Sequence, residues 1–296
     1  MTAEAVHDPV DDHRSSAEAL AQFVHGRVPV VLTGAGISTE SGIPDYRGRD
    51  GKRRVTPMRH QEFVASEQAR QRYWARSYVG WSRFGAAEPN AGHRAVAALQ
   101  HSGRFGTVVT QNVDGLHQRA GARRVIELHG GLDEVVCLGC ARHMGRDLLQ
   151  AHMFTDNPGF AERALTATPD GSRVSSQIRP DGGVVLGDEA VTQFVTPRCL
   201  HCGGDQLKPD VVFFGGAVPK DRVSRVIRAV ADSEALLVLG SSLQVMSGYR
   251  FVRQAAAAGI PVAIVTRGAT RGDAQATLRL DAPLGETLTD LATLLR

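Results

Sequence analysis

Three polar side chains that follow two predicted strands could do chemistry together. Asn112 and Asp114 come directly after the apolar run 107–110, and His129 follows the run 125–128. Because the carboxyl ends of parallel strands meet at one edge of a sheet, we expect the three side chains to share a crevice. Only the imidazole titrates near neutral pH, so His129 is the natural general base. Taken alone, each motif also fits a hydrogen-bonded cap or a turn.

A glycine turn after the first predicted strand is typical of a phosphate site. Gly34 and Gly36 match the first two glycines of a G-x-G-x-x-G dinucleotide fingerprint, but the third position is Thr39. The acidic residue that binds the adenosine ribose in ordinary dehydrogenases is missing from the basic stretch 53–59. The turn therefore predicts phosphate capture and argues against an ordinary dehydrogenase. Glycine and small hydroxyls that end two later strands, at 240–242 and 266–268, could bind a ribose instead.

The four cysteines form two C-x-x-C pairs, Cys137 with Cys140 and Cys199 with Cys202. This spacing predicts one tetrahedral structural Zn²⁺ bound by four thiolates. Two disulfides or buried free thiols are the alternative, and the reducing compartment expected for this chain favours zinc. Because four cysteines leave no open coordination position, we expect this metal to stabilise the fold and to do no chemistry.

Composition narrows the class of protein. The 296 residues are 42% hydrophobic, which is enough for a large core, and the net charge of +3 gives no nucleic-acid signature. No apolar run is long enough to span a membrane, and residues 1–16 lack the apolar stretch of a signal peptide. We therefore expect a cytoplasmic protein without membrane or direct nucleic-acid binding.

Short apolar runs alternate with helical patterns along the chain. The predicted strands are 28–32, 107–110, 125–128, 211–214, 236–239 and 262–265, and the predicted helices are 17–24, 93–100, 219–231, 248–258 and 285–295. This alternation predicts an α/β fold with a doubly wound, Rossmann-like parallel sheet that is covered on both faces.

Two stretches interrupt the alternation and predict insertions that form a smaller module. The expected division is a flexible N-terminus at 1–16, a Rossmann-like domain from 17–44, 89–136 and 207–296, a cofactor loop and helical insertion at 45–88, and a zinc-binding module at 137–206.

In their order along the chain, these motifs closely resemble those of the sirtuins. The matching segments are Gly34-Ala35-Gly36-Ile37-Ser38, Gly42-Ile43-Pro44-Asp45-Tyr46-Arg47, Thr110-Gln111-Asn112-Val113-Asp114, His129-Gly130, the two cysteine pairs and Gly240-Ser241-Ser242. The resemblance extends from about Ala17 to the C-terminus. Segments 70–76, 208–215 and 247–251 are most similar to the class II branch of the family.

The resemblance implies an NAD-dependent protein-lysine deacylase, with deacetylation as the default, that consumes NAD. The acyl-lysine oxygen would attack C1′ of the nicotinamide ribose, and His129 would then activate a ribose hydroxyl. Products would be free lysine, nicotinamide and O-acyl-ADP-ribose. An acyl-lysine protein or peptide would add as a strand to the segment 211–215.

The resemblance also implies the site residues. Catalysis would involve His129, Asn112 and Asp114. NAD contacts would come from Gly34, Ala35, Gly36, Ser38, Thr39, Pro44, Asp45, Tyr46, Arg47, Gln111, Asn112, Val113, Asp114, Gly240, Ser241, Ser242, Thr266, Arg267, Gly268 and Leu284.

Two positions depart from the family pattern. Gly216 replaces an acidic residue after Phe-Gly, which predicts looser peptide recognition. Thr266 replaces the usual Asn of a ribose contact, which predicts a raised KM for NAD. Tyr73 and Arg76 form the Tyr-x-x-Arg by which some sirtuins bind acidic acyl groups, but four residues out of register. Packing on a helix face is the favoured interpretation of this pair.

A basic cluster and three alternative functions complete the sequence analysis. Arg47, Arg49, Lys52, Arg53 and Arg54 could attract phosphates, acidic acyl chains or nucleic acid, although a charge run is usually a solvated face. The alternatives on the same scaffold are protein mono-ADP-ribosyl transfer and lipoamidase-type deacylation. The alternative without catalysis is a zinc-containing module that binds nucleotides or nucleic acid.

Overall fold

A computed structural model describes residues 11–48, 52–166 and 178–296. Within these ranges the helices are α1 Asp11–Val24, α2 His60–Ala65, α3 Glu67–Gly85, α4 Ala91–His101, α5 Leu116–Arg119, α6 Arg146–Asp156, α7 Phe160–Thr166, α8 Asp188–Thr192, α9 Lys220–Ala231, α10 Met246–Ala257 and α11 Leu284–Leu294. The predicted helices are all present. Helix α1 begins six residues earlier than predicted, so residues 11–16 of the expected flexible N-terminus are helical, and residues 1–10 lie outside the described chain.

The strands form two separate sheets. They are β1 Pro29–Thr33, β2 Val108–Thr110, β3 Val125–Glu127, β4 Gly130–Cys137, β5 His143–Gly145, β6 Leu207–Val211, β7 Ala235–Leu239, β8 Val262–Val265 and β9 Leu278–Leu280. Six of them make one sheet in the order β3-β2-β1-β7-β8-β9, and every pair in it is parallel. The predicted Rossmann-like parallel sheet is confirmed.

Alternate residues of the central strand β1 serve two cores, one on each face of the sheet. Val31 packs in the cluster that contains residues of α1, α4 and α11. Val30 and Leu32 point to the opposite face, into a cluster with residues of α9 and α10. Because both faces are covered, β1, β7 and β8 are buried along their whole length and therefore appear in the sequence as continuous apolar runs.

The second sheet is small and antiparallel, with the order β5-β4-β6. The strand predicted at 211–214 within the parallel sheet is therefore wrong, since the real strand β6 ends at Val211 and pairs with β4. The sequence does not indicate strand β6, because its residues Lys208, Pro209 and Asp210 are typical of loops. Proline is tolerated because β6 lies at the edge, and the buried Lys208 ammonium donates to the carbonyls of Pro209 and Val211.

A third core lies between this small sheet and the inserted helices. It contains Trp74 of α3, Leu149 of α6 and Phe194 after α8, all almost fully buried. The domain division given above stays a prediction, although β4 and β6 meet close to its borders at 136 and 206. Among the helices that the structure describes, none is long and apolar enough to cross a membrane.

Candidate functional site

A cleft with a cavity of about 990 Å³ lies at the carboxyl ends of the central parallel strands. The strand order reverses between β1 and β7, which is where ligands bind in open α/β sheets. The predicted site residues that line the cleft are Ala35, Gly36, Ser38, Thr39, Pro44, Asp45, Tyr46, Arg47, Gln111, Asn112, Val113, Asp114, His129, Gly240, Ser241, Ser242, Thr266, Arg267 and Leu284. Two predicted residues, Gly34 and Gly268, do not line it.

The glycine turn is shaped by another loop of the protein as well as by space for a ligand. Gly36 donates its N–H to the carbonyl of Gly240 at 2.8 Å, and Gly34 donates to Leu239 at 3.0 Å. A Cβ on Gly34 or Gly36 would lie 2.7–2.9 Å from residues 240 and 241. Gly240 itself has a φ of +64°, which favours glycine. These glycines are therefore required for two strand-end loops to touch.

A hydrogen-bonded network joins the first loop to the loop after β2. Ser38, which is 1% exposed, donates from Oγ to Asp114 Oδ2 at 2.7 Å and accepts from Asn112 Nδ2 at 2.9 Å. Asn112 Nδ2 also reaches the Gly34 carbonyl at 3.1 Å. Burial raises the pKa of Asp114, while the Leu116 N–H and the Ser38 hydroxyl favour its charged form. The predicted pair Asn112 and Asp114 is thus held by Ser38.

Two buried histidines behind this network were missed from the sequence. His93 and His117 are 0% and 1% exposed, and their ring centroids lie 4.9 Å apart. Burial lowers the pKa of His93 to about 4 and that of His117 to about 3, so both are neutral at pH 7. His93 Nδ1 accepts from the Asn90 N–H at 3.4 Å, which leaves Nε2–H to donate to Ser38 Oγ at 3.5 Å.

Asn90 supplies a signal that could have found His93. Its side chain caps α4 by accepting from the His93 N–H, and the two residues form a capping box three positions apart. The same amide donates to the carbonyl of Ile37 at 2.7 Å, inside the 3-10 helix Ala35–Ser41. The start of α4 therefore fixes the loop that carries Ser38.

His129 is held between a backbone carbonyl and a hydroxyl. Its Nδ1 lies 2.8 Å from the Gln111 carbonyl oxygen, and its Nε2 lies 2.8 Å from Ser247 Oγ. A carbonyl can only accept, so Nδ1 carries the proton. Burial lowers the pKa of His129 below its usual value, and at neutral pH Nε2 is therefore an unprotonated acceptor. This is the protonation state that a general base needs. Ser247 was missed because its residue type alone carries no signal.

Gln111 presents an amide to the cleft. Its Oε1 accepts from Ser241 Oγ at 2.6 Å, whereas its buried Nε2 has no hydrogen-bond partner among the described residues. A buried donor on the lining of a polar cleft is suited to a ligand hydroxyl or phosphate oxygen. In this structure Nε2 packs against the backbone of Gly248, where an added Cβ would lie 2.1 Å from it, so Gln111 links Ser241 to the start of α10.

The segment after Pro44 pairs with residues 52–54, and both line the cleft in part. Arg54 donates its N–H to the Tyr46 carbonyl at 3.0 Å, and its guanidinium lies 3.5 Å from Asp45 Oδ1. Arg47 and Arg53 form an antiparallel bridge. Of the predicted basic cluster, Arg49 lies outside the described residues.

The other predicted ribose loop follows β8. Thr266 is 9% exposed and donates its N–H to the Leu280 carbonyl at 3.1 Å. The Gly268 N–H donates to Asp281 Oδ2 at 3.0 Å, which uses the group that could have faced a ligand. Thr266 and Arg267 therefore line the cleft, and Gly268 shapes the turn beside it.

The predicted peptide segment 211–215 lines the cleft as well, with part of its backbone already paired. The Val212 N–H donates to the His129 carbonyl at 2.8 Å, and the Phe214 carbonyl accepts from His60 at 2.9 Å. The Gly216 N–H closes a turn onto Phe213 at 2.8 Å.

The two members of the Tyr-x-x-Arg pair make different contacts. Tyr73 is buried against the rings of Phe63, Trp74 and Phe213, with centroids 5.2–5.4 Å apart. Arg76 Nε donates to the Val184 carbonyl at 2.8 Å, and Arg76 does not line the cleft. Tyr73 nevertheless lines the cleft, and its hydroxyl and Arg76 Nη2 are buried without a hydrogen-bond partner among the described residues, so the packing interpretation stays a prediction.

The four cysteines lie together, away from the cleft. Cys137 and Cys202 have their sulfurs 3.7 Å apart, and so do Cys140 and Cys199. All four Sγ atoms lie within 4.8 Å of one another. Zinc–sulfur bonds of about 2.3 Å imply tetrahedral edges of about 3.8 Å. The cluster therefore fits a Zn²⁺ with four thiolates, and none of its members lines the cleft.

The chain is similar to one family model, to two relatives of known name and to a solved structure. The Sir2 family model matches residues 34–247. The chain is 55% identical over 264 residues to NAD-dependent protein deacetylase 1 of Streptomyces coelicolor, across 89% of this chain and 84% of that protein. It is 48% identical over 279 residues to NAD-dependent protein deacetylase 1 of Mycobacterium avium, across 94% of this chain and 95% of that protein. A solved Sir2 complex with a p53 peptide and NAD⁺ gives a TM-score of 0.68 at 28% identity, across 94% and 96%.

Proposed function

The chain belongs to the Sir2 family, and we propose on this basis that it is an NAD-dependent protein deacetylase. Acyl-lysine peptides or proteins are its proposed substrates, since one similar solved structure is a complex with a peptide and NAD⁺ and another is bound to a propionylated peptide. The observation that carries the proposal is the position of His129, which has Nδ1–H fixed on a carbonyl and an unprotonated Nε2 at the cleft. No cysteine lines the described cleft to act as a nucleophile.

NAD enters the reaction as a substrate and supplies an electrophilic ribose carbon. Gln111, Asn112 and Asp114 would orient the nicotinamide ribose, because they line the same cleft as His129 at the switch point of the sheet. The cleft-lining residues Asp45 and Arg47 would contact the phosphates.

The remaining predicted contacts follow from the same cleft. The adenosine ribose would bind at the strand-end loops after β7 and β8. These loops supply Gly240, Ser241, Ser242, Thr266 and Arg267, with Leu284 beside them.

His129 would act after nicotinamide has left, by removing the proton of a ribose hydroxyl so that the oxygen attacks the acyl carbon. The bond from Nδ1–H to the Gln111 carbonyl stabilises the imidazolium that forms. Asn112 and Asp114 would hold the ribose in the geometry for this attack, and Ser38 would hold them.

The zinc site would be purely structural, with Cys137, Cys140, Cys199 and Cys202 as its ligands. It ties the end of β4 to the segment before β6, on the sheet that follows His129. A cytoplasmic location and the class II assignment are part of this proposal, supported by the paired cysteines and by segments 70–76 and 247–251.

A panel of acyl-lysine peptides tests the function. Acetyl, succinyl, glutaryl, lipoyl and long-chain acyl peptides are incubated with the protein, with and without NAD, and products are identified by mass spectrometry. We expect nicotinamide and O-acetyl-ADP-ribose only when NAD and the acetyl peptide are both present. His129→Ala should abolish O-acetyl-ADP-ribose formation, while Ser233→Ala, at the end of α9 and outside the cleft, should not. NAD-independent deacetylation or ADP-ribosylated protein as the product would contradict the proposal.

A further inference from the structure

Ser247 is hydrogen-bonded to His129 Nε2, the ring nitrogen that the general base needs for its chemistry. Its Oγ lies 2.8 Å from His129 Nε2, and the residue is part-buried on the lining of the cleft. It belongs to the first turn of α10, which begins at Met246. The hydroxyl therefore stands between the imidazole and any ligand that approaches Nε2 from this side.

The direction of this hydrogen bond follows from the other ring nitrogen. Nδ1 must donate, because its partner is the Gln111 carbonyl oxygen. In a neutral imidazole Nε2 is then the acceptor, so the Ser247 hydroxyl is the donor. A hydroxyl that donates once still has two lone pairs with which to accept. Ser247 can thus accept a second hydrogen bond from a hydroxyl in the cleft while it donates to His129.

Close packing fixes the start of α10 against the base. A Cβ on Gly248 would lie 2.1 Å from Gln111 Nε2, so the helix backbone touches the residue whose carbonyl holds His129. On the next turn, Phe251 and Val252 are fully buried in the core below. Ser247 is therefore positioned by the fold, and its Oγ cannot leave Nε2 without rotation of the side chain.

We propose that Ser247 relays the proton of the ribose hydroxyl to His129, a role that rests on the proposed function. The ribose O–H bond breaks and its proton passes to Ser247 Oγ, as the Ser247 O–H bond breaks and that proton passes to His129 Nε2. The ribose oxygen keeps the electron pair of its bond and attacks the acyl carbon. Serine ends as a neutral hydroxyl, and His129 ends as an imidazolium with Nδ1–H still on Gln111.

The first test reads the contact directly in the protein without NAD. Nitrogen-15 NMR of labelled histidine, assigned with His129→Asn, should show His129 as the neutral Nδ1–H tautomer. Ser247→Ala should move the Nε2 resonance to higher frequency because the hydroxyl donor is lost, and Ser247→Thr should restore it. An Nε2 resonance that is unchanged by Ser247→Ala, or a protonated Nε2, would overturn the relay.

The second test is a proton inventory, which counts the protons that move in the transition state. Single-turnover formation of O-acetyl-ADP-ribose is measured in mixtures of H₂O and D₂O, for the wild type, Ser247→Ala, Ser247→Thr and the control Ser233→Ala. A relay moves two protons, so the wild-type rate should curve with deuterium fraction, and Ser247→Ala should give a straight line. We expect a roughly 10- to 100-fold lower rate for Ser247→Ala, within the range for proton-transfer catalysis, and a rate close to wild type for Ser247→Thr.

The outcomes separate the two proposals. If the wild type forms no nicotinamide from NAD and acetyl peptide, the proposed function fails. If the wild type is active but Ser247→Ala stays within twofold of its rate, or keeps the curved deuterium dependence, the relay fails while the function stands.

Discussion

Removal of the Ser38 hydroxyl tests the network that holds the proposed catalytic carboxylate. In Ser38→Ala, Asp114 Oδ2 loses a donor at 2.7 Å and Asn112 loses an acceptor at 2.9 Å, in a place that is 1% exposed. A hydrogen bond to a charged group contributes about 1.5–3 kcal/mol, and the smaller alanine leaves no replacement donor. We therefore expect the free energy of unfolding to fall by about 1.5–3 kcal/mol.

The loss should appear as a lower Tm and depend on pH. A change of 1 kcal/mol shifts Tm by about 1.6 °C in a chain of 296 residues, so the expected decrease is about 2–5 °C. Ser38 stabilises the charged carboxylate, and the pKa of Asp114 should rise further without it. The stability difference from wild type should therefore be largest above that pKa and shrink as the pH falls through it, because a protonated carboxyl no longer needs the donor.

The assay is chemical denaturation without NAD, followed by circular dichroism from pH 8 down to about pH 3, so that the range crosses the usual pKa of a carboxyl group and the values above it. Ser102→Ala is the matched control, since Ser102 is exposed and its hydroxyl bonds only the Leu99 carbonyl at 3.2 Å. It should change stability by less than about 0.5 kcal/mol. A Ser38→Ala protein as stable as the control, or one whose loss of stability is the same at every pH, would refute the reasoning.

Four further predictions follow from the same structure. Arg76→Ala should leave the deacetylation kcat/KM within twofold of wild type. It should lower the free energy of unfolding by about 1–2 kcal/mol, since Arg76 donates a hydrogen bond to the Val184 carbonyl. Selective loss of desuccinylation would contradict the packing interpretation of Arg76. Thr266→Asn should lower KM for NAD in steady-state kinetics, and an unchanged KM would count against the role given to Thr266. Metal analysis should find one zinc per chain, and its removal by a chelator should lower Tm, whereas a metal-free protein of equal Tm would refute the site. Burial lowers the pKa of His129 below 6.5. The rate of O-acetyl-ADP-ribose formation should therefore stay constant from pH 8 to about 6.5 and fall only below that, as the imidazole becomes protonated. A rate that already declines at pH 7.5 would contradict this assignment of the base.

The parallel sheet could be predicted because its strands are buried on both faces. Val30, Val31 and Leu32 are all buried, so burial on two faces appears in the sequence as an unbroken apolar run. The small sheet could not be predicted in the same way. The edge strand β6 contains Lys208, whose ammonium is satisfied by carbonyls of its own strand, and this arrangement has no signature in residue type.

The site divides along a similar line. His129, Asn112 and Asp114 could be predicted because polar residues at parallel strand ends must converge, and the structure brings them to one cleft. Ser247 and His93 depend on tertiary packing between distant helices and loops. The position of the glycine turn could be predicted from the sequence. One reason that glycine is required there is the contact of Gly36 with Gly240, which lies over 200 positions away in the sequence.

The stoichiometry of the reaction shows whether removal of the acetyl group consumes NAD. Acetyl-lysine peptide, nicotinamide and O-acetyl-ADP-ribose are quantified together over the first turnovers of the wild-type protein. We expect one nicotinamide and one O-acetyl-ADP-ribose for each acetyl group removed, and no change in any of the three compounds in the absence of NAD. Acetyl groups released as free acetate without loss of NAD would contradict it.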